Sequence, residues 1–126
     1  MWDVRYTDAA TQELNQRALP RQEKAALLNA VEKLRALGPQ LPFPHQSAVQ
    51  GATGIRELRP RQGRSPWRAF YCRVADTFVI ASIGPEADVD PIGFTRTVDA
   101  AQQRCAAIEE GNEEGTKNEA NRPKNG

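Results

Sequence analysis

The sequence predicts a small α+β domain with elements in the order β-α-α-β-β-β-α. Three observations carry that prediction. At 126 residues the chain is the size of one ordinary domain, with room for a single modest core. Apolar residues recur at helical spacing in the first third and again near the end, while the middle alternates at strand spacing between turn-forming residues. Hydrophobic residues at 39% and charged residues at 26% give the composition of a soluble globular protein, so a packed core is the expectation.

Trp2, Val4 and Tyr6 alternate with Asp3 and Arg5, the period of a strand with one face buried. Thr7 and Asp8 supply N-cap chemistry for a short helix through Leu14 and Arg17. It should stop at Leu19, because Pro20 disfavours helical backbone in the residue before it. Pro20 opens a second helix with Leu27, Val31 and Leu34 on one stripe, and Gly38-Pro39 ends it. Residues 39–54 contain Pro42, Pro44, Gly51 and Gly54 and read as an ordered loop.

Three strands follow at 55–59, 67–74 and 77–83, an antiparallel meander with a tight turn at Ala75-Asp76. A last helix from about 91 to 109 aligns Phe94, Val98, Ala101, Cys105 and Ile108. The helices are expected to cover one face of the sheet. Residues 1–109 form the domain, and 110–126, with no aliphatic residue larger than alanine, are expected to be a disordered acidic and polar tail.

The N-terminal residues lack the apolar core of a signal peptide, and no apolar run is long enough to cross a bilayer. A cytoplasmic location without membrane partners is therefore expected. Cys72 and Cys105 have no metal-ligand spacing and no CxxC partner. A reducing compartment would keep them as buried thiols.

A net charge of +1 conceals strong segregation: residues 55–74 carry six arginines against Glu57, and residues 109–119 carry five glutamates against Lys117. Like charges crowded together repel unless an anion relieves them, so the arginine segment implies a polyanionic partner. Strand alternation places Glu57 and Arg59 on one face, where Arg68 of the neighbouring strand can join them. Glu57 would hold one arginine while the others remain available for phosphate, which guanidinium groups bind bidentately.

Arg56, Arg61, Arg64 and Arg73 are candidate backbone contacts, and Trp67 is a candidate base platform or, more economically, an anchor of the core edge. His45 is the single histidine and the natural proton-transfer group near neutral pH, or else a brace for its loop. Glu86, Asp88 and Asp90 alternate after the last strand. Capping of the following helix, with Asp90 before Pro91, explains them best, and no cofactor or metal is implied.

The stretch LPFPHQSAVQGATGIRELRPRQGRSPWRAFYCRV, with its Glu57-Leu58-Arg59 triplet, Trp67-Arg68 pair and Tyr71-bearing strand, resembles the HigB-like, phage-related branch of the RelE/ParE toxin superfamily. The resemblance runs from Trp2 to about Ile108. It implies a RelE-like fold and the toxin of a type II toxin-antitoxin pair, usually a ribosome-associated endoribonuclease that cuts mRNA and so inhibits translation and growth.

By that resemblance Arg59 and Arg68 orient phosphate and stabilise transition-state charge, and Arg61 and Arg64 add RNA contacts. The implied partners are the ribosome with its mRNA and a HigA-like helix-turn-helix antitoxin, through which the pair binds operator DNA. Pro85, Glu86 and Asp88 stand where relatives carry basic residues, so Glu86 or His45 takes over proton transfer, or inhibition follows another route. The alternatives are a ParE-like inhibitor of DNA gyrase and a non-catalytic binding module. Arg68→Glu is expected to abolish toxicity without unfolding the domain.

Overall fold

A computed structural model describes residues 1–115 of the chain. Its elements are β1 (Asp3–Tyr6), α1 (Asp8–Leu14), α2 (Arg21–Leu37), β2 (Gln46–Ala48), β3 (Arg56–Leu58), β4 (Trp67–Val74), β5 (Thr77–Pro85) and α3 (Pro91–Gly115). They build a five-stranded mixed sheet in the order β1-β5-β4-β3-β2, with β1 parallel to β5 and every other pair antiparallel. The α+β class and the element order are those expected, with one strand added: β2 lies in the segment expected to be loop. Three residues pairing with β3, without an apolar alternation of their own, leave no strand signal in sequence.

Local chemistry sets the boundaries. Thr7 caps α1, its Oγ1 accepting from Ala10 N at 3.0 Å. Pro20 stands at the N-cap of α2, where its missing N–H costs nothing. Gly38 ends α2 with φ +56°, and a Cβ there would stand 2.5 Å from the Trp2 indole. Only glycine meets both demands.

Helices lie on both faces of the sheet, not on one. Leu27, Val31 and Leu34 of α2 and Ala10 and Leu14 of α1 pack with Val4, Leu58, Ala69, Tyr71, Phe78, Ile80 and Ile83. On the other face Val98, Ala101 and Cys105 of α3 pack with Ile55, Phe70, Cys72, Val79 and Ala81. Alternation along β4 and β5 divides these sets as strand geometry requires. Both strands are buried along most of their length, as strands covered on both faces are.

Phe70 pairs with Ser82 and Tyr71 with Ile80, leaving Ala81 as a bulge. Ala81 and Ser82 both therefore turn toward α3, where Ser82 Oγ donates to Thr97 O at 2.8 Å.

Two further expectations need correction. Cys72 and Cys105 are joined in a disulfide that ties β4 to α3, whereas free thiols were expected. Both lie in the core, 5% exposed, where alternation on β4 and the stripe of α3 bring them face to face. The last helix also passes the expected end at 109 and continues to Gly115. The remaining residues of the expected tail, 116–126, lie outside the described residues. No helix among the described residues is long and apolar enough to cross a membrane.

Candidate nucleic-acid interface

Glu57 organises the arginine segment. It sits on β3 opposite Phe70 of β4, so Arg68, two residues before Phe70, reaches it diagonally across the α3-side face. Arg68 Nε donates to Glu57 Oε1 at 2.9 Å, and Arg59 Nη1 stands 3.9 Å from Glu57 Oε2. Ser47 Oγ of β2 donates to the same carboxylate at 3.4 Å. Arg59 and Arg68 thus converge on one carboxylate, as the strand argument expects.

Their environments differ. Arg68 is 3% exposed. Beyond Glu57, its Nη1 donates to Ser65 O at 2.6 Å and Trp67 O at 3.0 Å, and its Nη2 to Gly63 O at 3.3 Å and Glu86 Oε2 at 3.5 Å. A guanidinium has five N–H donors, and all five are engaged. Burial pushes the Arg68 guanidinium below its ordinary value, opposed chiefly by the Glu57 charge. Arg68 is therefore a strut that fixes Glu57 and the Ser65–Trp67 corner, with no donor left for phosphate.

Arg59 retains donor capacity. Its Nε donates to Pro44 O at 3.0 Å, its backbone N to His45 O at 2.8 Å, and its guanidinium carbon lies 5.5 Å from the Phe43 ring centroid. His45 is braced through its own backbone, its N donating to Pro42 O at 2.9 Å. His45 and Arg59 are among the residues lining a cleft of about 380 Å³ between α2 and the 58–61 segment. Lys33 and Arg61 also line it, over a floor that includes Ala26, Ala30, Leu41 and Leu58, and no carboxylate is among the lining residues.

The other sequence candidates divide. Arg61 is drawn to α2, pairing with Glu23 at 2.6 Å and donating to Gln22 O at 3.4 Å. Glu23 also accepts from Ser65 Oγ at 2.8 Å, and the Arg61 hydrogen bond is the main cause holding its carboxyl below the ordinary range. Arg64 is exposed and donates to Arg61 O at 3.2 Å. Arg56 is exposed near the sheet edge, donating to Gln46 Oε1 at 2.7 Å.

Arg73 does not join them. It stands five residues along β4 from Arg68, on the opposite face, pairs with Asp76 and stacks over Trp2 and Phe78 at 5.1 and 5.6 Å. Trp67 packs against the α2-side core, the edge-anchor role rather than an open platform. Tyr71 is buried, and burial raises its phenol above the ordinary value.

Glu86 is occupied on both oxygens. Oε1 accepts from Val89 N at 2.7 Å and Oε2 faces Arg68. It holds the turn into α3, where Asp90 Oδ1 accepts from Gly93 N at 2.9 Å as the N-cap. Asp90 thus caps α3 and Glu86 holds the turn before it. No group of three or more His, Cys, Asp and Glu among the described residues is placed to hold a metal ion.

Sequence reasoning did not single out Phe43 or Lys33. An exposed Phe in a proline-rich loop and a lysine on a solvated helix carry no periodic signal, and only the fold brings them beside Arg59 and His45.

A family model described as "Phage derived protein Gp49-like (DUF891)" matches residues 15–83, more than half of the chain. Among solved structures, a double mutant of the E. coli toxin RelE in the free state is similar, with a TM-score of 0.54 and 14% identity over 78% of this chain and 95% of that one. At that identity the likeness is one of fold. E. coli YafQ in its complex with DinJ aligns with a TM-score of 0.46 and 18% identity, over 71% of this chain and 97% of that chain. YafQ alone gives 0.45 and 17%, over 71% and 99%. No curated protein matches the chain.

Proposed function

The chain belongs to the Gp49-like family of phage-derived proteins, and from that membership and its RelE-like fold we propose that it is a RelE/ParE-type toxin of a type II toxin-antitoxin pair that binds and cleaves mRNA on the ribosome. The observation that carries this reading is the carboxylate-free cleft shared by His45, Arg59, Arg61 and Lys33. Cleavage of RNA without a metal needs a 2′-hydroxyl to attack the adjacent phosphate, a cation for the charge that develops, and proton transfer at both ends. Arg59 supplies the cation, with donors remaining after its bond to Pro44 O. His45, which lines the same cleft, is the candidate for proton transfer.

Arg68 acts through Glu57 as a positioning residue. Arg64 and Arg56, exposed beside the cleft wall and at the sheet edge, add contacts to the RNA backbone whose strength falls with salt. The reading includes an adjacent-gene antitoxin of the HigA-like, helix-turn-helix kind, operator DNA bound through that antitoxin, and action in the cytoplasm.

A second reading, a non-cleaving binding module, is favoured by Glu86: the end of β5 carries a carboxylate locked in structure, not a group open to proton transfer. Induced expression with mapping of RNA 5′ ends separates the readings. New 5′ ends that disappear in Arg59→Ala and His45→Gln, and when the neighbouring protein is co-expressed, support cleavage. Growth arrest with intact messages and DNA double-strand breaks points to gyrase instead, and no arrest at all leaves the binding module.

A further inference from the structure

Phe43 is 70% exposed, an unusual state for a phenylalanine in a stiff loop beside a cationic cleft. Pro42 and Pro44 flank it, and the hydrogen bond from His45 N to Pro42 O closes the turn beneath it. The Arg59 guanidinium lies 5.5 Å from its ring centroid and is fixed there by Pro44 O. A scattered surface phenylalanine needs no explanation, but this ring is held by backbone on both sides and by a cation whose own position is set by the site.

We infer that Phe43 is a stacking platform for an unpaired nucleobase of the bound strand, seated beside the phosphate that Arg59 holds. The chemistry fits: a planar ring with a cation next to it attracts any base by its π face, independently of sequence, while the adjacent cation takes the backbone charge. Trp67, the aromatic that sequence reasoning favours for stacking, is packed against the core. The ring left open to a ligand on this side is Phe43. The inference rests on the RNA reading above and assigns it a base-contacting residue.

The test is the affinity of the full chain for a short single-stranded RNA, compared with the same oligonucleotide made abasic at successive positions and with one carrying 2-aminopurine. Phe43→Ala is expected to weaken binding about tenfold, to leave the salt dependence unchanged because no phosphate contact is lost, and to abolish quenching of 2-aminopurine at one position. Phe43→Trp should restore both affinity and quenching. The abasic strand should bind wild type and Phe43→Ala alike.

Equal affinity of wild type and Phe43→Ala for the intact strand overturns the platform and leaves the RNA reading standing. The same holds if Phe43→Ala weakens the abasic strand equally, or if it loses only the antitoxin and keeps RNA. Failure of the wild-type chain to bind RNA at all overturns the site reading itself, and the platform with it. Phe43 contributes no buried packing, so its variants keep the fold, and a thermal melt alongside each titration checks it.

Discussion

Gly63 lies against Arg59 so closely that a Cβ on the glycine would stand 2.6 Å from Arg59 Nη2. The glycine also has φ +94°, a conformation side chains rarely adopt, and follows Arg61 and Gln62, which themselves hold positive φ. The corner between β3 and β4 therefore admits the Arg59 guanidinium at this distance because residue 63 lacks a side chain, and sequence reasoning sees only a loop glycine.

Gly63→Ala is expected to lower stability by about 1 kcal/mol through backbone strain, and to weaken RNA binding more than that by displacing Arg59. Urea denaturation beside an RNA titration at two salt concentrations distinguishes the effects. Unchanged affinity with lowered stability would mean that Arg59 has another way to reach its ligand.

Arg68 gives a different outcome from the one alternation suggests. Removing it leaves Glu86, with its side chain 18% exposed, without its cation, and Glu57, 14% exposed, with only the longer Arg59 contact at 3.9 Å. Breaking a buried pair of this kind costs about 3 kcal/mol or more. Arg68→Ala and Arg68→Glu are therefore expected to destabilise or unfold the domain, so loss of toxicity in either says nothing about ligand contact. Arg68→Ala combined with Glu57→Gln should recover part of the loss in a denaturation cycle. Two additive losses would contradict the coupling.

The elements readable from sequence were those with their own period or punctuation. Thr7 at a cap, the stripe of α2, the alternation of β4 and the Asp90 cap each write their geometry into a few neighbouring residues. What was not legible depends on contacts between distant segments. The disulfide needs β4 and α3 face to face, β2 exists only as the partner of β3, and the cleft needs Lys33 brought to His45. The shared carboxylate, Glu57, was visible because period two and one acid among six arginines suffice to place it. Whether an arginine on that face is a strut or an open donor depends on five acceptors, three carbonyls of the 63–67 corner and the carboxylates of Glu57 and Glu86, which no periodic signal announces.

Glu23 provides a pH test. Its carboxyl is lowered first by the Arg61 hydrogen bond, with Ser65 and the Arg61 charge adding to it and partial burial opposing. A carboxyl lowered in the folded state contributes its stability fully above its unfolded value, about 4.3, and loses it as pH falls through the folded value. Wild type should therefore exceed Glu23→Gln by about 1 kcal/mol near pH 7, with the gap closing progressively below about pH 4. Urea midpoints for both chains between pH 7 and pH 3 measure it, and a gap constant with pH would remove the ionic contribution.

The disulfide joins residues 33 apart in sequence. Cross-linking a loop of that size restricts the unfolded chain by roughly 3 to 4 kcal/mol. The folded contacts of α3 do not depend on it alone: Phe94 stacks edge-on against Phe70 at 5.4 Å, and Arg104 bridges to Glu13 of α1 at 2.9 Å and to Ala81 O at 2.9 Å. Reduction, or Cys105→Ala, is therefore expected to lower the denaturation midpoint while α3 stays docked and RNA affinity persists. Denaturation with and without a dithiol reductant, beside a mass measurement of the intact chain, reads both states. An oxidised chain as easily denatured as the reduced one would deny the cross-link its stabilising role, and loss of RNA binding on reduction would mean that α3 holds the arginine site through this bond alone.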